Sequence, residues 1–443
     1  MYTRYVVLFI IVCINVYANY FLRQYEFILY LVFSNVKYLF IIYILWRAFR
    51  ITISYVYPKW QITIPKQRWP ALDGLRLIAF FLVFLHHFPP FYSGNFVLMS
   101  RISETFNIQG WIGVDIFLTL SSFLLTYLGI REIENTGGFS ILSFIIRRIL
   151  RIWPLYFFFL IYNYVNSLHF EEGLLTFGKS LAIHIPYFLI FIGNFSYFSR
   201  RDVFPENIGH LWTISLEEQY YVLICIGILF YNQSKNRFFL YFGSLFLIGC
   251  VSKITILYFK VEYPAIWVLP IAKLDTISIG GLTALIVWRL ENIQHIVLGF
   301  EKKLNFIILI LLISIVVVPD PRSITLNNWI TSIIPSVLTS MLIIQSTRKE
   351  SLIARILSLK PLELLGRITF GLYIFHFIGI NIASQFFNYY KSEVNIVNYI
   401  LFLVLSFIIT ISIALISYFG LELAFLRKKT RLNWQQIILK KPL

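Results

Sequence analysis

The sequence is short of charge, and shorter still of acid. Only 13% of its 443 residues are Asp, Glu, Lys or Arg, and 21 acidic residues face 38 basic ones. Soluble domains run near a quarter charged, so a water-solvated globule is a poor description. Cysteine is equally scarce. Cys13, Cys225 and Cys250 each lie inside an apolar run, and no two have a paired spacing. That argues against a disulfide framework, a zinc site and a cysteine nucleophile. No basic domain stands outside the apolar runs, so the net charge of +17 does not point to nucleic acid. Internal repeats, low-complexity stretches and the long inverted repeats of many transporters are not visible either.

What fills the space is hydrocarbon. The chain is 58% hydrophobic and 19% aromatic, with 44 Phe and 28 Tyr, and its mean hydropathy is +0.76. Apolar runs of about 17 residues or more recur, each long enough to cross a bilayer as a helix. The fold class expected is all-α, a polytopic transmembrane helical bundle. Two spans come first, near 5–22 and 27–46. The N-terminal run has no small-residue cleavage site after it and reads as a retained span rather than a signal peptide. A ten-helix core follows, at 77–97, 111–130, 150–166, 211–231, 238–257, 264–289, 304–319, 329–346, 368–388 and 397–421. The organisation expected is an N-terminal hairpin over 1–60, a core over 70–425 and a basic tail over 426–443.

Lys and Arg cluster in short loops, which is how membrane topology is signalled. The cluster Arg47, Arg50, Lys59, Lys66 and Arg68, the arginines at 147, 148 and 151, the loops 290–303 and 347–360 and the tail from 427 all favour the cytoplasmic side. They agree only if the apolar segment 181–198 makes no net crossing. That segment carries His184, Pro186, Gly193 and Asn194, and is expected to be re-entrant or interfacial. Both termini are then cytoplasmic.

Polar residues interrupt the hydrocarbon at spacings that share a face. In LDGLRLIAFFLVFLHHF, residues 72–88, Arg76 and His87 are 11 positions apart. That is roughly 16 Å along a helix and within about 20° of one face, while His86 points about 100° away. In GVDIFLTLSSFLL, residues 113–125, Asp115, Thr119 and Ser122 align at i, i+4 and i+7. Arg147, Arg148 and Arg151 form a cationic patch, and guanidinium forks suit phosphates. In HLWTISLEEQYY, residues 210–221, His210 and Glu217 can share a face. In TFGLYIFH, residues 369–376, Thr369, Tyr373 and His376 form one stripe. Ionisable groups at such depth suggest function by default. Neither histidine pair has metal-ligand spacing with a carboxylate, so no metal is expected.

These stretches, in this order, resemble the motifs of the membrane-bound acyltransferase-3 family. Its LDGLR opening with a histidine ten intervening residues after the Arg corresponds to Arg76 and His87. Its GVDIFFVLSGFLI motif corresponds to 113–125, with Ser121 retained and Ser122 in place of Gly. RRxxRIxPxY appears as RRILRIWPLY, HLWSLSVEEQFY as HLWTISLEEQYY with Trp212, and SYxLYLxH as TFGLYIFH. A weaker match, LPxRLDxxxxG, appears as LPIAKLDTISIGG with Lys273 and Asp275. The N-terminal pair, 1–60, matches none of these motifs.

The resemblance implies an O-acyltransferase with no tightly bound cofactor, using acyl-CoA, most often acetyl-CoA, as co-substrate. It implies an acceptor hydroxyl on a cell-surface glycan or lipid-linked saccharide, in a bacterial cytoplasmic membrane. Many glycan-acetylating members carry an esterase-like domain after the core. At 443 residues none is expected here, and an acceptor used directly is the expectation. Arg147, Arg148 and Arg151, with Arg76, Ser121, Trp212, Lys273 and Asp275, are the expected binding residues. His87 is the expected general base or acyl carrier. Asp115 or Glu217 would orient it, and Tyr373 and His376 would donate to the developing oxyanion. A transporter or flippase of a lipid-linked substrate is the alternative from another class.

Overall fold

Pro89 and Pro90 decide where the first core helix stops. Proline cannot continue a helix, and it disfavours helical geometry in the residue before it. In the computed structural model the helix runs Pro70–His87 (α1), with Phe88 extended. The expected span 77–97 is therefore shifted toward the N-terminus, and His87 is a terminal residue rather than an interior one. The structure describes residues 69–92, 96–167, 183–199, 206–261, 264–291, 326–348, 350–387 and 396–426. The N-terminal hairpin, the span 304–319 and the tail from 427 lie outside the described residues.

After α1 come α2 (Val97–Gln109), α3 (Ile112–Thr136) and α4 (Ile141–Ser167). Then follow α5 (183–189), α6 (Gly193–Ser199), α7 (Glu206–Gly209), α8 (Trp212–Gln233) and α9 (Lys235–Tyr258). A short α10 (Ala265–Val268) and a 3-10 turn (Pro270–Lys273) lead into α11 (Leu274–Glu291) and α12 (Leu326–Ser346). The chain continues through α13 (Leu352–Leu357), α14 (Lys360–Arg367), α15 (Thr369–Phe387) and α16 (Ile396–Ser417), which closes in a π turn, Tyr418–Glu422. No strand occurs among the described residues.

Six of these helical stretches are long and apolar enough to cross a membrane, or seven if the pair α14–α15, bent by 79°, counts as one span. The chain is a multi-pass integral membrane protein. One expected span changes shape, and the segment expected to make no crossing is irregular. The run 264–289 is broken at Pro270, and only Pro270–Leu290 has the length and composition of a span. The segment 181–198 is also broken. Helices α5 and α6, each about 10 Å long, meet at Phe191, whose φ is 56°. Irregular backbone at membrane depth has to be satisfied by protein. Here Tyr156 donates to the Phe188 carbonyl at 2.9 Å, and Gln219 donates to the Phe191 carbonyl at 2.7 Å and to Asn194 Oδ1 at 2.8 Å.

Inside lipid there is little hydrophobic force between helices, so close packing and hydrogen bonds hold the bundle. Two glycines set the approach around the site. A Cβ on Gly113 would sit 2.2 Å from the Ala79 carbonyl oxygen, so α3 lies directly on α1. A Cβ on Gly280 would sit 2.4 Å from the Thr119 carbonyl and 2.7 Å from Ser122 Cβ. Gly280 thus makes room for Ser122, whose hydroxyl donates to the Ile277 carbonyl at 2.6 Å. The serine that replaces the motif glycine is used to tie α3 to α11.

Candidate active site

Three imidazoles meet where α1 ends. His87 Nδ1 and His376 Nε2 are 3.0 Å apart, and His376 Nδ1 is 2.6 Å from the Tyr373 carbonyl oxygen. A carbonyl only accepts, so Nδ1 of His376 carries a proton. Neutral His376 then has a bare Nε2, which accepts from His87 Nδ1–H. The lone pair of His87 is thereby left on Nε2. His376 does not offer a hydrogen bond to substrate in this arrangement. It fixes the tautomer and ring orientation of His87, the place an acidic residue was expected to fill.

His210, on the turn before α8, lies with its ring centroid 4.9 Å from that of His376 and 5.5 Å from that of Tyr373. Its Nε2 donates to the Ile374 carbonyl at 3.1 Å, and its Nδ1 has no partner. Tyr373 donates to the His210 carbonyl at 2.9 Å and lies 2.6 Å from Thr213 Oγ1. Its hydroxyl braces the His210 turn rather than standing free toward an oxyanion. His86 goes elsewhere: its Nδ1 donates to the Asn107 carbonyl at 2.5 Å, and Asn107 donates back to the His86 carbonyl at 2.8 Å, which ties α1 to α2.

A cavity of about 240 Å³ opens beside these groups, lined by His86, His87, His210, Trp212, Tyr373 and Lys273, with Trp111 and Trp267 among its other walls. Lys273 reaches it as half of a buried ion pair. Its Nζ is 2.6 Å from Asp115 Oδ1, and it lies 4.5 Å from the Trp267 ring centroid and 5.5 Å from that of Trp111. Asp275 makes a second pair, 2.5 Å from Lys253. All four charged groups are buried. Burial of a charge is tolerated when it is paired, and here pairing consumes both aspartates. Asp115 bonds Lys273 and does not orient His87.

A second polar cluster lies deeper along the same helices. Arg76 pairs with Asp73 at 3.0 Å and lies within electrostatic reach of Arg151 and Glu217. Ser121 Oγ donates to Glu217 Oε1 at 2.5 Å. Arg148 lies against the Tyr221 ring, 6.0 Å from its centroid, and Arg151 is within reach of Arg148 and Glu422. Glu217 follows His210 by seven residues, about 10 Å along the helix. It belongs with the arginines, away from the cavity where an acid was expected beside His87. Arg147 separates from its neighbours. It donates to Glu132 Oε2 at 3.0 Å, while Glu132 Oε1 accepts from the Ser140 backbone N–H at 3.0 Å, so the pair clasps the α3–α4 turn.

Three participants were not singled out from the sequence. Lys253 had a usable signal, since a lone lysine inside an apolar span suggests a buried partner. Trp111 and Trp267 had none, because tryptophan in a membrane protein is ordinary at interfaces. Among the described residues, no set of three His, Cys, Asp or Glu is arranged to hold a metal ion.

The profile of an acyltransferase domain matches residues 69–419. A protein of Staphylococcus aureus (strain COL), named provisionally as an O-acetyltransferase, is 25% identical over 384 residues. The match covers 83% of this chain and 59% of that protein. The O-acetyltransferase OatA of Staphylococcus aureus (strain NCTC 8325 / PS 47) is 27% identical over 379 residues, covering 81% of this chain and 57% of that protein. The chain thus spans less than two thirds of the length of these relatives. No solved structure gives a significant match.

Proposed function

The chain belongs to the acyltransferase-3 family, and we propose that it moves an acyl group, most simply acetyl, from cytoplasmic acyl-CoA to a saccharide hydroxyl. The acceptor is a cell-surface glycan or a lipid-linked saccharide. The membrane is a bacterial cytoplasmic membrane, with the Arg76 end of the bundle facing inward and the His87 end outward. Both termini are cytoplasmic.

The observation that carries this reading is the division of the polar residues into two levels joined by α1. Arg76, Arg148 and Arg151 are set to meet the phosphates of CoA at the inner level. About 16 Å above Arg76, by helical rise, His87 presents an unprotonated Nε2 to the cavity. In direct transfer, Nε2 takes the proton of the acceptor hydroxyl as its oxygen bonds the thioester carbon. The C–S bond then breaks and the departing thiolate takes that proton, giving the ester and free CoA. In the two-step variant, Nε2 bonds the acyl carbon first and the C–S bond breaks to expel the CoA thiolate; the acceptor oxygen then displaces the imidazole, and the hydroxyl proton goes to the thiolate. Two polar levels on one helix suit a transfer between two sides.

The test is release of CoA thiol from acetyl-CoA by membranes carrying wild type, His87→Ala or His86→Ala at matched protein levels. His87→Ala should lose transfer and His86→Ala should keep most of it. Transfer that survives His87→Ala and is abolished by His86→Ala would overturn the assignment.

A further inference from the structure

Within this acyl-transfer reading, on which the argument rests, we infer that the cavity beside His87 is a saccharide subsite whose specific contacts are Trp111 Nε1–H and His210 Nδ1. Three observations converge. First, both residues line the cavity, are only 8% and 3% exposed, and carry a polar atom with no partner in the protein. A buried polar atom without a partner is costly and calls for an explanation. One of these atoms can only donate. The other, with His210 Nε2–H committed to the Ile374 carbonyl at 3.1 Å, can only accept. A donor and an acceptor carried by two residues of one cavity wall are complementary to a polyol, whose every hydroxyl does both.

Second, the walls are aromatic. Trp212 and Tyr197 lie nearly parallel, at 27° with centroids 6.3 Å apart, and Trp111 meets Trp267 edge to face at 3.9 Å. The C–H face of a pyranose is polarised positive by its oxygens and suits the negative face of such rings. Third, the volume is about 240 Å³. An apolar cavity of ~150 Å³ admits a benzene ring, so one six-membered sugar ring fits. An alkyl chain would fill the same space and leave the indole N–H and the imidazole lone pair unpaired.

The two contacts act on the sugar and not on the donor, and a kinetic split therefore tests them. Full-length protein in nanodiscs is given acetyl-CoA and, in separate arms, the methyl glycosides of glucose, galactose and N-acetylglucosamine, or decanol. Thiol release is followed as acceptor and donor are varied in turn. At least one glycoside should stimulate release saturably. Trp111→Phe and His210→Ala should each raise its half-saturating concentration roughly tenfold, with the half-saturating acetyl-CoA concentration unchanged. His210→Asn places a carbonyl oxygen near the position of Nδ1 and should recover much of the loss. The inference is overturned if decanol alone stimulates, if no acceptor stimulates a wild type that still turns over acetyl-CoA, or if both variants leave the glycoside response unchanged. A wild type that never consumes acetyl-CoA sinks the acyl-transfer reading itself, a separate result.

Discussion

Replacing His376 by Phe removes the imidazole that accepts from His87 Nδ1–H, retains the Val83 backbone hydrogen bond to His87, and leaves the volume filled. Phe80 already packs edge-on against the His376 ring, at 6.3 Å, so a phenyl ring is tolerated there. The bond lost is the 3.0 Å contact between the two imidazoles. A neutral hydrogen bond contributes about 0.5–1.5 kcal/mol net, close to tenfold in rate. A ring less firmly held raises the total toward the about 10²-fold that a 1 Å misplacement costs. His376→Phe should therefore lower kcat about 10- to 100-fold and leave the KM for acyl-CoA unchanged. His376→Gln, whose amide oxygen can accept from His87 Nδ1–H, should stay within about tenfold of wild type. Removing the base altogether should cost more, about 10²–10⁴-fold. Because His376 acts through His87, the double variant His87→Ala/His376→Phe should be no slower than His87→Ala alone. Thiol release under saturating acetyl-CoA gives all four values. The relay is refuted if His376→Phe matches wild type, or if it is as inactive as His87→Ala and His376→Gln is no better.

Arg151→Ala should raise the half-saturating acyl-CoA concentration by about one to two decades. Arg147→Ala should move it less than about threefold and lower thermal stability instead, because Glu132 loses its partner. The opposite assignment of effects would show that Arg147 faces the donor. Lys273→Met leaves Asp115 buried and uncompensated, at a cost of about 3–5 kcal/mol, whereas Lys273→Met with Asp115→Leu should recover most of it. Unfolding of purified protein reads this, and a single variant as stable as wild type would deny the pair its role. In a variant lacking the native cysteines, a membrane-impermeant thiol reagent on intact cells should label Asn207→Cys and spare Asn232→Cys. The reverse pattern inverts the bundle and exchanges the two sides proposed for donor and acceptor.

Helical phase carried much of this arrangement in the sequence. Arg76 and His87 share a stripe by counting residues, and the bundle uses them at two levels of one helix. Tyr373 and His376 lie on their own stripe and meet that helix. Breaks were less legible. Pro270 divides a run that reads as continuous hydrocarbon, and α2 was missed because VLMSRISETFNIQ is too polar to register as a span. Partners across helices were not legible at all. Asp115 and Lys273 are 158 positions apart, and helix phase cannot show that each neutralises the other. An acid beside His87 was a reasonable expectation from chemistry alone. The bundle puts Glu217 a level lower and gives the post to an imidazole backed by a carbonyl.

That carbonyl makes the site forgetful. In a serine-protease triad the imidazole is backed by a carboxylate, which stabilises the cation formed in mid-reaction. The relay here stops at the main chain of Tyr373, which can accept a hydrogen bond and cannot neutralise a charge. A proton taken by His87 thus has nowhere to wait. Under the transfer proposed above, it departs with the leaving thiol as soon as the C–S bond opens, and the imidazolium does not accumulate.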